Sequence, residues 1–323
     1  MMKKKIYITG GSGFIGSNLI SFFSNDINNH IFNADIHPPD NIEQRIYWHN
    51  IDVTNRDILV NSVIAYNPDF LIHLAARTDL NGKSMEEYSV NKEGTVNIID
   101  ACRDIANLKH IIFASSMLVC KVGYIPGNFD DYNADTLYGF SKIEVEKVVK
   151  DSSLSCSWTI VRPTSIWGPG FKEPYRNFFD IVRMGRFLDI GSKYCTKTYG
   201  YIGNSIYQMN QILYSEHSRS KTYYIGDAPP IFISDWAKEI AIEFDKSHPR
   251  KIPYGIIKIA AIIGDVLKKF NIHFPMTSFR LRNMTTNNIL DLRDLYTIAP
   301  NPPYSRSEGV KITAGWIKNK RNI

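Results

Sequence analysis

The 323-residue sequence predicts an α/β fold: a doubly wound parallel sheet with a smaller C-terminal α/β domain after it. Two observations predict it. Five apolar runs of strand length alternate with helical patterns in the first 165 residues, and a glycine-rich turn joins the first run to the first helix. Near-continuous apolar runs are expected where helices cover both faces of a sheet, so these strands read as buried and parallel.

The first run, "KIYITG" (Lys5–Gly10), leads into "TGGSGFIG", which sets Gly10, Gly13 and Gly16 at the turn and the first helical residues. Glycine permits a tight turn and lets backbone N–H groups approach a pyrophosphate, whose charge a helix N-terminus favours. Ile15, Leu19, Phe22 and Phe23 follow helical spacing, and "HIFNAD" ends the second strand at Asp35, 19 residues after Gly16. A carboxylate at that place accepts hydrogen bonds from ribose hydroxyls and repels a 2′-phosphate, which favours NAD over NADP. "FLIHLAA" (Phe70–Ala76) and "HIIFASS" (His110–Ser116) are the next strands, divided by a helix with Thr95, Ile98, Cys102 and Ile105 at helical spacing. "DTLYGFSK" (Asp135–Lys142) then opens a helix on which Tyr138 and Lys142, four residues apart, share a face. "WTIVRP" (Trp158–Pro163) closes the series.

After Pro163 the regularity fades, with Gly and Pro clustered in "RPTSIWGPGFKEPY", "GDAPP" and "APNPPYS". The expected division is a coenzyme-binding domain over 1–165, joined by part of 201–217, and a mainly substrate-binding domain over 166–323. "SEGVKITAGWIKNK" reads as a terminal helix.

Composition narrows the class. With 44% hydrophobic and 22% charged residues the chain is ordinary globular protein. No apolar run approaches the roughly 20 residues that span a bilayer. The best candidate, "YGIIKIAAIIGDVL" (Tyr254–Leu267), is interrupted by Lys258 and Asp265 and reads as a packed or amphipathic helix. The basic start, Met1–Lys5, precedes an apolar stretch broken by "TGGSG" without a cleavage pattern, so a cytoplasmic protein is expected. Four scattered cysteines and eight scattered histidines lack disulfide or ligand spacing, and no metal is expected. Residues 1–150 carry 14 Lys+Arg against 18 Asp+Glu, and residues 151–323 carry 24 against 14. A basic second half suits an anionic ligand, while the lack of basic blocks interleaved with aromatics speaks against nucleic acid.

The ordered motifs "TGGSGFIG", "NIDVTN", "HLAA", "VNKEGTVNIIDAC", "FASS", "YGFSK" and "VRPTSIWGPG" resemble those of the extended short-chain dehydrogenase/reductase family, in particular its nucleotide-sugar epimerase and dehydratase branch. The resemblance covers most of the chain and implies a Rossmann-type coenzyme domain. It assigns Asp52 to the adenine end of the coenzyme, Ala75 to the loop over its phosphates and Lys142 to the nicotinamide ribose. Further coenzyme contacts are implied at Gly10, Gly13, Phe14, Ile15, Gly16, Asp35, Val53, Leu74, Ala76, Asn91, Tyr138 and Pro163. Ser116, Tyr138 and Lys142 match the catalytic residues, with Ser115 the alternative to Ser116. Ser116, Ser165 and Asn177 are the implied substrate contacts, and a homodimer is typical of such relatives.

The chemistry follows from those types. A phenol is a poor base at neutral pH, with a pKa of roughly 10, but Lys142, an oxidised nicotinamide and a helix N-terminus all favour its ionised form. Tyr138 would take a hydroxyl proton while hydride leaves the same carbon, with Ser116 hydrogen-bonding the oxygen. Members that eliminate water resemble one another in carrying Thr-Asp-Glu where this chain has Ser116, Met117 and Leu118, so a 4,6-dehydratase is not expected. An NAD-dependent nucleotide-sugar 4-epimerase is the leading expectation and a 4-ketoreductase the alternative. A non-catalytic NAD-binding regulator and a hydroxysteroid-type dehydrogenase are further readings. Cys120 and Lys121 replace the usual Tyr-Gly, and Ile202, Gly203 and Asn204 replace an acidic pattern, both departures near the expected substrate. Arg176, Arg186, Lys193, Arg280 and Arg306 are the candidate partners of a substrate diphosphate.

Overall fold

The computed structural model describes residues 3–173, 175–190, 195–270, 272, 274 and 276–319. Six strands, β1 (Lys4–Thr9), β2 (Asn29–Asp35), β3 (Trp48–Asn50), β4 (Phe70–His73), β5 (His110–Ala114) and β6 (Ser157–Pro163), are joined by a seventh, Lys221–Ile225. They form one sheet in the order β3-β2-β1-β4-β5-β6, with the seventh strand beside β6. Every pairing in it is parallel. Order reverses between β1 and β4, and sheets of this kind bind ligands beyond the carboxyl ends of the strands at such a point.

Period-two alternation sorts the strand residues between two apolar layers. Ile6, Ile8, Ile72, Ile112 and Val161 face a layer built with α1 (Phe14–Phe23) and α6 (Ile202–Tyr214). Tyr7, Leu71, Ile111, Phe113 and Ile160 face the other layer, under α2 (Arg56–Tyr66), α3 (Ser89–Cys102) and α4 (Leu137–Lys150). Both faces are therefore buried, which is why these strands read as continuous apolar runs. Helix α6 and the strand Lys221–Ile225, both from the second half of the chain, complete the sheet layer.

The rest of the second half surrounds an aromatic cluster. Trp236, on α7 (Ile233–Glu243), stacks on Phe178 of α5 (Arg176–Arg183) at 4.8 Å and lies 5.1 Å from Trp167. Helix α8 (Tyr254–Lys269) packs on α9 (Ser278–Thr285) through a small core of Ile190, Ile257, Ala261 and Leu281. After α10 (Arg293–Ile298), α11 (Arg306–Asn319) closes the described chain. No helix among the described residues is long and apolar enough to cross a membrane.

Candidate active site

The glycine turn is shaped by two close approaches. Gly10 has φ +69°, and a Cβ there would lie 2.6 Å from the Ala75 backbone nitrogen. At Gly16 a Cβ would run into the Gly10 carbonyl and the Gly11 backbone. Bare backbone is thus required where Phe14 and Ile15 begin α1. Asp35 closes the turn: its Oδ2 accepts from the Ser12 N–H at 3.0 Å and its Oδ1 from the His37 N–H at 2.9 Å. A side-chain-free turn at the start of α1 with a carboxylate at the end of β2 fits a dinucleotide with free ribose hydroxyls.

The facing wall comes from the ends of β3 and β4. Leu74, Ala75 and Ala76 follow β4, with Leu74 N bonded to Thr9 O at 3.0 Å and Ala75 N to Thr9 Oγ1 at 3.3 Å. His73 ties this wall to α3, bonding Thr9 through Nδ1 at 2.7 Å and Thr95 through Nε2 at 3.2 Å. Burial and the Lys142 cation hold its pKa down at about 3, so it stays neutral. Asp52 folds back on Thr54, whose N–H and hydroxyl both donate to its Oδ1, while Val53 is buried against Gly94. Asn91 is committed inside the protein. Its amide oxygen accepts from Arg77 N at 2.7 Å, and its Nδ2 donates to Arg77 O and Ser141 Oγ. It therefore positions the loop after β4 against α4.

Helix α4 begins beside the carboxyl end of β5. Thr136 caps it, accepting from Gly139 N at 3.0 Å, so Tyr138 is the second helical residue. Ser116 leaves the end of β5, accepts from Leu118 N at 3.1 Å, and its hydroxyl favours the ionised form of the Tyr138 phenol. Lys142 lies with its Nζ 6.0 Å from the Tyr138 ring centroid and donates to Ala114 O at 2.8 Å. Its pKa is lowered to about 8 by burial, against the pull of Glu146. Two expectations change here. The phenol is pushed above its ordinary value in the protein alone, because burial outweighs the help from Ser116 and the Lys142 ammonium is turned to a carbonyl. Ser115, the alternative to Ser116, donates to Glu146 Oε1 at 2.6 Å and belongs to a buried network behind the site.

From the second half, Ser165 is buried in a short strand that pairs with Tyr199–Tyr201, just beyond Pro163. Asn177 is the second residue of α5. Tyr88, which sequence reasoning missed, packs beside the Tyr138 phenol. Tyr88 lies 6.3 Å from the Tyr138 ring, and its hydroxyl holds the 79–82 loop through Asp79 O and Gly82 N. Among the basic candidates, Arg306 is bound to Glu239, Arg176 pairs with Asp180 and covers Trp316, and Arg186 and Arg280 are exposed. Lys193 lies outside the described residues. Among the described residues no cluster of His, Cys, Asp and Glu is placed to hold a metal.

Known proteins resemble the chain as a whole. The chain is 24% identical over 323 residues to an Escherichia coli O157:H7 N-acetyl-alpha-D-glucosaminyl-diphospho-ditrans,octacis-undecaprenol 4-epimerase, covering 97% of this chain and 95% of that protein. It is 26% identical to a Vibrio cholerae UDP-glucose 4-epimerase, with 97% and 95% covered, and 28% identical to a Mycolicibacterium neoaurum 3-beta-hydroxysteroid dehydrogenase, with 80% and 75% covered. A crystal structure of a Bacillus cereus UDP-glucuronic acid 4-epimerase in complex with UDP-glucuronic acid and NAD shares the fold, with a TM-score of 0.74, 19% identity, and 98% and 99% covered. The family model for the NAD dependent epimerase/dehydratase family matches residues 6–184, more than half the chain, and the protein belongs to that family as an NAD-dependent enzyme.

Proposed function

We propose that this enzyme is a nucleotide-sugar 4-epimerase that works through a transient 4-keto sugar. The observation that carries the reading is the convergence of Ser116, Tyr138 and Lys142 at the carboxyl end of β5, with Met117 and Leu118 following Ser116. Neither of those two side chains can act as acid or base in an elimination.

The glycine turn, Asp35 and the loop Leu74–Ala76 would hold the coenzyme. NAD, when bound, supplies a hydride acceptor that can return the hydride, so no external reductant is consumed. Tyr138 takes the proton from the C4 hydroxyl and gives it back to the same oxygen after the sugar has turned its other face. Ser116 donates a hydrogen bond to that oxygen as it becomes a carbonyl. Lys142, whose ammonium donates to Ala114 O in the protein alone, would add positive charge near the phenol with the coenzyme in place, favouring phenolate.

A 4-ketoreductase would use the same three side chains but would consume reduced coenzyme. One observation also favours a lipid-diphosphate carrier in place of a nucleotide: the outer face of α8 is a row of exposed apolar residues. The E. coli relative is named for such a polyprenol-linked substrate. The test is to incubate the enzyme with UDP-, GDP- and dTDP-sugars, a polyprenyl-diphosphate sugar, their 4-keto forms and a 3β-hydroxysteroid. An epimer formed without added reductant supports the proposal; stoichiometric consumption of NADH on a 4-keto sugar, or turnover of the steroid alone, overturns it.

A further inference from the structure

Helix α8 carries an apolar stripe that the fold does not cover. Ile256, Ile259, Ile262, Ile263 and Val266 are between 48% and 62% exposed, whereas Ile257 and Ala261, on the opposite side, are 3% and 0% exposed. At 100° per residue the five exposed side chains fall in a sector of roughly 120°. One helix thus has two apolar faces, and only one of them packs on α9. A single exposed isoleucine is ordinary surface, but five apolar side chains on one stripe mark an interaction site.

Charge around the stripe tells what would cover it. Residues 246–289 contain eight Lys or Arg and one acidic residue, Asp265. The Asp265 carboxylate is turned inward, accepting from Ser278 N at 3.1 Å. Lys258 and Lys269 are exposed and fall along one border of the stripe by helical angle, and Arg250 and Lys251 are exposed just before the helix. An apolar stripe bordered by lysines, on a helix too short to span a bilayer, is the pattern of a helix that lies in a membrane interface. Its aliphatic residues enter the acyl boundary while the lysine stems extend to the headgroups. A bare apolar protein partner would not require the one-sided positive charge, whereas an anionic headgroup layer does.

We propose that α8 is a membrane-docking element that seats the enzyme on an anionic lipid surface, stripe inward, with Lys258 and Lys269 at the headgroup level. The docking is independent of which sugar carrier the active site accepts.

Flotation of the full chain with phosphatidylcholine vesicles, with and without roughly 30% phosphatidylglycerol, tests it. Binding is expected to be at least about 10-fold stronger to the anionic vesicles and to weaken with added salt. Ile259→Asp/Ile263→Asp is expected to lower partitioning by about 10-fold or more. Lys258→Glu/Lys269→Glu is expected to abolish the preference for anionic vesicles. Both pairs are surface changes, and an unchanged thermal melt checks that the fold is kept. Failure of the wild-type chain to bind either vesicle overturns the proposal, as does unchanged binding by the isoleucine variant. A dimer in sedimentation that the isoleucine variant dissociates, without vesicle binding, likewise overturns it and assigns the stripe to a second copy.

Discussion

Tyr138 and Gly10 show how single residues divide the work between chemistry and shape. The Tyr138 phenol is buried beside Ser116, with Tyr88 packed 6.3 Å away. Removing its oxygen leaves the ring's packing intact, so Tyr138→Phe is expected to lower kcat by about 10²–10⁴-fold, the range of a lost proton-transfer group. NAD affinity, read by titration calorimetry, should stay unchanged; a variant retaining full turnover would reassign the base. Gly10 makes the opposite separation. Its left-handed backbone costs an L-residue about 1–2 kcal/mol, and the added Cβ would also press on the Ala75 nitrogen. Gly10→Ala is therefore expected to weaken NAD binding by at least about 10-fold through that conformational cost and the displaced loop. Wild-type affinity in this variant would show that the turn does not need its observed shape.

At the scale of elements, α4 is anchored to the sheet by a buried ion pair. Arg162, on β6, meets Glu146, on α4, through two bonds of 2.7 Å, and both side chains are fully buried. Ser115 and Tyr132 complete the carboxylate, and Phe129 O and Tyr224 Oη meet the guanidinium. Glu146 stands one turn beyond Lys142, so the network sets the placement of the catalytic helix. Glu146→Ala leaves the guanidinium buried without its counter-ion, which is expected to cost about 3–5 kcal/mol. Urea unfolding measures it, and a loss below about 1 kcal/mol would refute that role for the pair. Nothing in "VRP" or "IEVEK" announces this contact, since the partners lie 16 residues apart and meet only when β6 lies beside β5.

The same distinction explains what was legible. Strands β1, β2, β4, β5 and β6 are covered on both faces and so are apolar throughout, whereas β3 has three residues, two of them exposed, and the strand Lys221–Ile225 starts on an exposed lysine. Tyr138 and Lys142 were readable because helical spacing alone makes them neighbours. Tyr88 reaches the same ring from a distant segment, so only the folded chain reveals it.

Three buried groups couple the whole molecule to pH. His73 bridges β1, β4 and α3, and His110 bonds Thr159 between β5 and β6; burial holds their pKa values at about 3 and about 4. An unfolded chain releases both to the ordinary value near 6.5 and then binds protons more tightly than the native one. Their contribution is therefore complete above pH 6.5 and is lost as pH falls toward 4, about 2 kcal/mol for each histidine by pH 5. Asp227 acts in the opposite sense. Burial raises its carboxyl to about 6 despite bonds from Tyr201 N and Asn204 Nδ2, so its protonation in the folded state returns about 1 kcal/mol over the same interval. The histidines win, and unfolding free energy is expected to be about 3 kcal/mol lower at pH 5 than at pH 7. Urea titrations at the two values measure the difference, and His110→Gln should reduce it by roughly the share of one histidine. Equal stability at both pH values would mean that the sheet opens enough to solvate these rings, and the picture of a dry layer between β4, β5 and their helices would fail.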